Sequence, residues 1–116
     1  MNVKVIGADS SKTTAALGKD LLVVASPARL FELTAFNDSA GTVYLQVFDA
    51  AAEPPDTTSV PKLVVPIATK ATAQLSYKDG SIFGVGIYVC FSSTSAAKTK
   101  VVADTGLIDV TYRLMA

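Results

Sequence analysis

Four carboxylates, Asp38, Asp49, Glu53 and Asp56, fall close together in the sequence and invite a chemical reading. Two acids about 5–10 Å apart suffice for glycoside hydrolysis. Asp49, Glu53 and Asp56 could instead offer oxygen ligands to calcium from a loop between strands. Neither arrangement is expected. A hairpin would hold Asp38 at the opposite end from Asp49, and the other acids belong to a small loop without an aromatic platform for a sugar. Histidine and tryptophan are absent. Ser-His-Asp and Cys-His arrangements are therefore impossible, and so is a histidine metal site; the single cysteine, Cys90, cannot build a zinc cage. The chain carries no phosphate-binding loop, dinucleotide fingerprint or EF-hand series. Gly80-Ser-Ile-Phe-Gly-Val-Gly86 runs from a turn into a strand and reads as a packing feature. The expectation is a protein that is not an enzyme, with no catalytic, cofactor-binding or metal-ligating residues and no cofactor.

Composition points the same way. A chain of 116 residues has the size of one domain, 1–116, with one core. Apolar residues make up 50%, which excludes disorder, while charged residues at 17% fall below the roughly 25% typical of soluble proteins. A surface so poor in charge suggests that part of it is covered in use. Ten basic and ten acidic residues cancel and are scattered, so no stripe follows a phosphate backbone or an anionic membrane. No nucleic-acid or membrane partner is expected. Lys98 and Lys100 read as a solvated loop. The start, Met1-Asn-Val-Lys-Val-Ile-Gly7, does not read as a signal peptide, and no apolar run approaches the length of a membrane span. With Cys90 as a packing residue beside Tyr88, Val89 and Phe91, the reading is synthesis in a reducing cytosol.

The elements that must position these residues are strands. Short β-rich runs between turn residues recur, and no long window repeats at helical spacing. Strands are predicted near 2–6, 20–25, 29–36, 42–49, 62–67, 71–77, 82–92 and 106–114, with Ser10 to Leu17 as loop. About eight strands make an all-β, two-sheet antiparallel β-sandwich, Greek-key or jelly-roll. The segment 29–49 reads as a hairpin turning at Asp38-Ser39-Ala40. Phe31, Leu33 and Ala35 then lie beside Val47, Leu45 and Val43 on the core side. The other side, with Leu30, Phe36, Tyr44 and Phe48, wants cover, either from a partner or from the protein's own loops.

A second hairpin is read at 71–91. A loop at Lys78-Asp79-Gly80 sets Leu75 against Phe83 and Ala73 against Val85, unless the two strands belong to different sheets. Phe83, Val85, Ile87, Val89 and Phe91 form one apolar face of the 82–92 strand, and Gly84 and Gly86 mark a crowded crossing or a bend. The last strand sends Ile108, Val110 and Tyr112 inward and Asp109, Thr111 and Arg113 outward. The proline-bearing stretch 50–61, with Glu53, Pro54 and Pro55, is either an arm reaching a neighbour or a plain crossover.

Leu33-Thr-Ala-Phe-Asn37, the short loop, and Tyr44-Leu-Gln-Val-Phe-Asp-Ala50 together resemble a pattern of small tailed-bacteriophage virion proteins. The resemblance extends to Val64-Val-Pro-Ile67, Phe83-Gly-Val-Gly-Ile87 and Ile108-Asp-Val-Thr-Tyr112, and so spans most of the chain. It implies a β-sandwich capsid decoration or cement protein of the virion, made in the host cytoplasm. Such a protein binds the major capsid protein on the outer shell and stabilises contacts between its subunits. A homo-oligomer follows, a trimer above all, because capsid lattices offer three-fold positions. The interface candidates are Phe36, Tyr44, Phe48, Glu53, Pro54 and Pro55. The alternative is a carbohydrate- or receptor-binding β-sandwich module using loops at one end.

Overall fold

The computed structural model describes residues 10–115, and the expected strand at 2–6 lies outside them. The described strands are β1 (Ser10–Thr13), β2 (Asp20–Val24), β3 (Ala28–Asn37), β4 (Val43–Phe48), β5 (Leu63–Ile67), β6 (Thr72–Phe83), β7 (Ile87–Ser92) and β8 (Gly106–Leu114). They run antiparallel in two sheets of four, ordered β1-β8-β3-β6 and β2-β7-β4-β5, and no helix occurs among the described residues. Pairing first with last, second with seventh, third with sixth and fourth with fifth is the nested order of a jelly roll.

Alternation builds the core. Leu30, Leu33 and Ala35 of β3, Leu45 and Val47 of β4, Phe83 of β6, Ile87, Val89 and Phe91 of β7, and Ile108 and Val110 of β8 are all at most 1% exposed. They come from the inner faces of both sheets and interleave there, as period-2 strands packed face to face must.

Both expected hairpins are corrected. β3 pairs with β6 and β8, and β4 with β5 and β7, so 29–49 is a corner between sheets. Leu33, Ala35, Val43, Leu45 and Val47 do face the core, but across the sandwich rather than side by side. Alternation reports which face is buried and is silent on which strand lies alongside. Asn37 makes the corner. Its fully buried Nδ2 donates to the carbonyls of Gly41 (2.8 Å), Ile67 (2.9 Å) and Ala68 (3.2 Å), and its Oδ1 accepts from the Ser39 N–H (2.9 Å). A bulge between Leu30 and Glu32 turns Leu30 into the core and makes Phe31 the extra residue. Phe31, expected in the core, is half-buried beneath the Arg113 guanidinium, 4.8 Å from its ring centroid.

The 71–91 segment is likewise no hairpin. β6 continues to Phe83 along β3, with Leu75 and Ala73 opposite Leu33 and Ala35, and Gly80 takes φ +83° where the strand bulges past Phe31. The chain then crosses to the other sheet through Gly84-Val85-Gly86, so the expected 82–92 strand is two strands. Val85, expected in the apolar row, is about half exposed at 52%. The crowded crossing read from the two glycines holds at Gly86, where a Cβ would lie 2.6 Å from the carbonyl oxygens of both Ala50 and Val24, and not at Gly84, where it would meet only Asp49 at 3.9 Å. Segment 10–13, read as loop, is strand β1. It is an exposed edge that pairs with β8 through its backbone and so carries no apolar alternation.

Candidate functional site

The two sheets treat their outer faces differently. On β2-β7-β4-β5 the outward residues Gln46, Phe48, Tyr88 and Cys90 are nearly all inaccessible, at 0%, 3%, 2% and 0% exposure. The chain's own loops cover them. Gln46 Nε2 donates to the carbonyls of Thr94 (3.1 Å) and Ala96 (3.3 Å) in the β7–β8 loop, and Cys90 Sγ donates weakly to Gln46 Oε1 at 4.0 Å. That loop is tied in turn to the β4–β5 loop, through Thr57 N–H to Lys98 O (2.7 Å) and Lys98 N–H to Ser59 O (2.9 Å).

An ion-pair cluster locks the two loops together. Lys98, whose side chain is 1% exposed, donates to Asp56 and to Glu53 at 3.2 Å. Lys100 reaches Glu53 at 2.6 Å and Asp20 at 3.1 Å, and the Tyr88 hydroxyl donates to the same Asp20 oxygen at 2.6 Å. Lys100 above all, together with Lys98, holds the Glu53 carboxyl below its usual range, and Lys98 does the same for Asp56. Desolvation pulls Asp20 upward, but Tyr88 and Lys100 outweigh it and its pKa is lowered. Desolvation would lower Lys98, yet Asp56 and Glu53 raise it on balance; Glu53 and Asp20 do so for Lys100. Burial pushes the Cys90 thiol up to about 12, and burial with the Asp20 hydrogen bond raises Tyr88.

This geometry corrects several expectations. Lys98 and Lys100 are the centre of a partly buried network rather than a solvated loop, and the turn composition around them gave no sign of the acids they meet. Glu53 and Asp56 are spoken for by lysines. Asp49 points elsewhere, accepting the N–H groups of Gly84 (3.1 Å), Val85 (2.8 Å) and Gly86 (3.3 Å) at the sheet crossing. Its carboxyl is lowered because those three donors outweigh desolvation. The three acids do not converge, and no group of metal-holding side chains occurs among the described residues. Phe48 is buried against Tyr88, ring centroids 6.1 Å apart, with 3% of its surface left exposed, and Glu53 is engaged inside the cluster. Pro54 is half-buried and Pro55 exposed on the same covering loop. Tyr44 is half-buried on this face, between Pro66 and Ser92.

The outer face of β1-β8-β3-β6 carries no such layer among the described residues. Cross-strand register sets out its rows: Thr13, Asp109, Thr34 and Gln74 at one level, and Leu107, Phe36 and Thr72 at the next. Between them lies an open groove of about 320 Å³ lined by Thr13, Thr34, Phe36, Thr72, Leu107 and Asp109, among others. Leu107 is 43% exposed. Phe36 thus stands on the sheet opposite Tyr44 and Phe48, and the expected interface residues do not form one surface. Leu107 and Asp109 were not singled out as site residues. Leu107 had a signal, an apolar side chain at an outward position of an otherwise alternating strand; Asp109, an acid on an outward face, had none.

No protein-family model matches the chain, and no curated protein matches its sequence.

Proposed function

We propose that this is a non-enzymatic virion structural protein, a capsid decoration or cement protein that binds the major capsid protein through the open face of its jelly roll. The observation that carries the reading is the contrast between the faces. One is sealed by the chain's own loops and ion pairs, while the other leaves Phe36 and Leu107 accessible beside a carboxylate. The phage-like sequence pattern and the low charge support the same reading. Contact is the mechanism: apolar surface contributes about 25 cal/mol per Å² on burial. A modest patch repeated over many symmetric sites, with the chain present as a homo-oligomer such as a trimer, adds up to a reinforced shell.

The test is co-expression with the major capsid protein of the same genome, followed by sedimentation of assembled shells. The expected result is co-sedimentation that falls at least tenfold in Phe36→Ser and Leu107→Ser and not in Val102→Ser, which lies on a loop and is 92% exposed. A chain that stays in the supernatant refutes the capsid reading. A glycan array separates it from the carbohydrate-binding alternative: capture of an oligosaccharide, lost in Phe36→Ala, would put that alternative in its place.

A further inference from the structure

We propose that the groove on the open face is a socket for one basic side chain, a lysine or arginine presented by the partner protein. The inference deepens the reading of this face as the contact surface. It starts from Asp109. The carboxylate lines the groove, and no ion pair or side-chain hydrogen bond engages it among the described residues. Its lateral neighbours are the threonines Thr13 on β1 and Thr34 on β3. Hydroxyls rotate to accept as readily as to donate, and no amide or cationic side chain lines the groove. The polar end is therefore rich in acceptors and negatively charged, which calls for a cationic donor.

The other end is apolar. Leu107 and Phe36 stand opposite each other one strand repeat from Asp109, a distance of about 7 Å. That separation matches the four-carbon stem of lysine or the three-carbon stem and guanidinium of arginine. Long basic side chains lay such stems on apolar surface while the head reaches its counter-charge. The Phe36 ring adds a face on which a cation is attracted. At about 320 Å³ the groove sits at the lower bound of small-molecule sites and suits one side chain. The chain already uses this device twice, with the Arg113 guanidinium over the Phe31 ring and the Lys62 ammonium over the Phe83 ring.

The experiment is a titration of the isotope-labelled full chain, followed by amide chemical shifts, with three capped amino acids. These are N-acetyl-lysine methylamide, N-acetyl-arginine methylamide and the uncharged N-acetyl-norleucine methylamide. The expected result is a set of saturable shifts confined to the amides around Phe36, Thr72 and Leu107 to Asp109. The charged probes should bind at least tenfold more tightly than norleucine, and Asp109→Asn should lose that advantage with its spectrum otherwise intact. Shifts scattered over the surface, equal binding of norleucine, or unchanged binding by Asp109→Asn would each overturn the socket. Probe-free shifts at the same residues that grow with protein concentration would overturn its assignment to a different protein and give it to a second copy. The capsid reading is tested separately: shells that carry the chain while the probes fail to bind leave that reading standing and remove the socket.

Discussion

Replacing Lys98 by methionine keeps an unbranched stem in the covered layer and deletes the charge that joins the two covering loops. Losing one partner of a fully buried ion pair costs about 3–5 kcal/mol, and an exposed pair contributes about 0–1. Lys98 is buried at 1%, but Glu53 and Asp56 keep 44% and 46% of their side-chain surface and recover water once the ammonium is gone. The intermediate case gives about 2 kcal/mol, or about a 30-fold rise in the population with the loops open. Cys90, the only cysteine and fully buried beneath these loops, reports that opening. Labelling with a dithiodipyridine should be slow in the parent protein, since the buried thiol stays protonated, and about 30-fold faster in Lys98→Met.

The exposed Lys78→Met serves as a control and should label at the parental rate. The lowered pKa values of Glu53, Asp56 and Asp20 mean that their contribution is present above the unfolded value of about 4 and is lost as pH falls through the folded values. Lys98 and Lys100, raised in the fold, contribute below about 10.5 and lose that contribution as pH rises through the folded values. Labelling corrected for thiol ionisation is thus flat from about pH 5 to 9 and accelerates below about pH 4. A Lys98→Met rate within twofold of the parent would refute the latch. So would an increase that tracks global unfolding at every denaturant concentration, because local opening is nearly denaturant-independent.

Three further outcomes follow from the fold. Gly86→Ala drives a methyl to 2.6 Å from two carbonyl oxygens and should cost about 3 kcal/mol by denaturant melt, whereas Gly41→Ala, with nothing within 4 Å, should stay within about 0.5. Asn37→Ala strips the β3–β4 corner of its buried amide and should lower stability by about 3 kcal/mol, read as a fall of about 10 °C in Tm by calorimetry. Phe48→Ser should destabilise each subunit by about 3 kcal/mol without changing the mass measured by light scattering; a dissociated oligomer with intact stability would restore Phe48 as a contact residue.

How far the sequence is legible depends on the range of the interaction concerned. Ile108, Val110 and Tyr112 announced their inward face through strict alternation, and Leu45 and Val47 did the same, because side-chain direction in a strand is set by its immediate neighbours. Gly86 announced a close approach, since a missing Cβ is informative where backbones meet, whereas a Cβ on Gly84 would meet only the Asp49 carboxylate at 3.9 Å. Phe31 and Leu30 exchanged faces at a bulge, a one-residue event invisible to a period of two. Lys98 looked like a solvated loop residue because its partners, Glu53 and Asp56, are more than forty positions away.

Local patterning is enough to specify β-strands with inner and outer faces, and composition alone puts histidine-based catalysis out of reach. The folded chain is needed to see that Asn37 turns a corner between sheets, which strands lie side by side, and which outer face the described residues leave open. Strand pairing and loop coverage are long-range choices among segments of similar local character. Their free energy comes from contacts that exist once the whole jelly roll has closed.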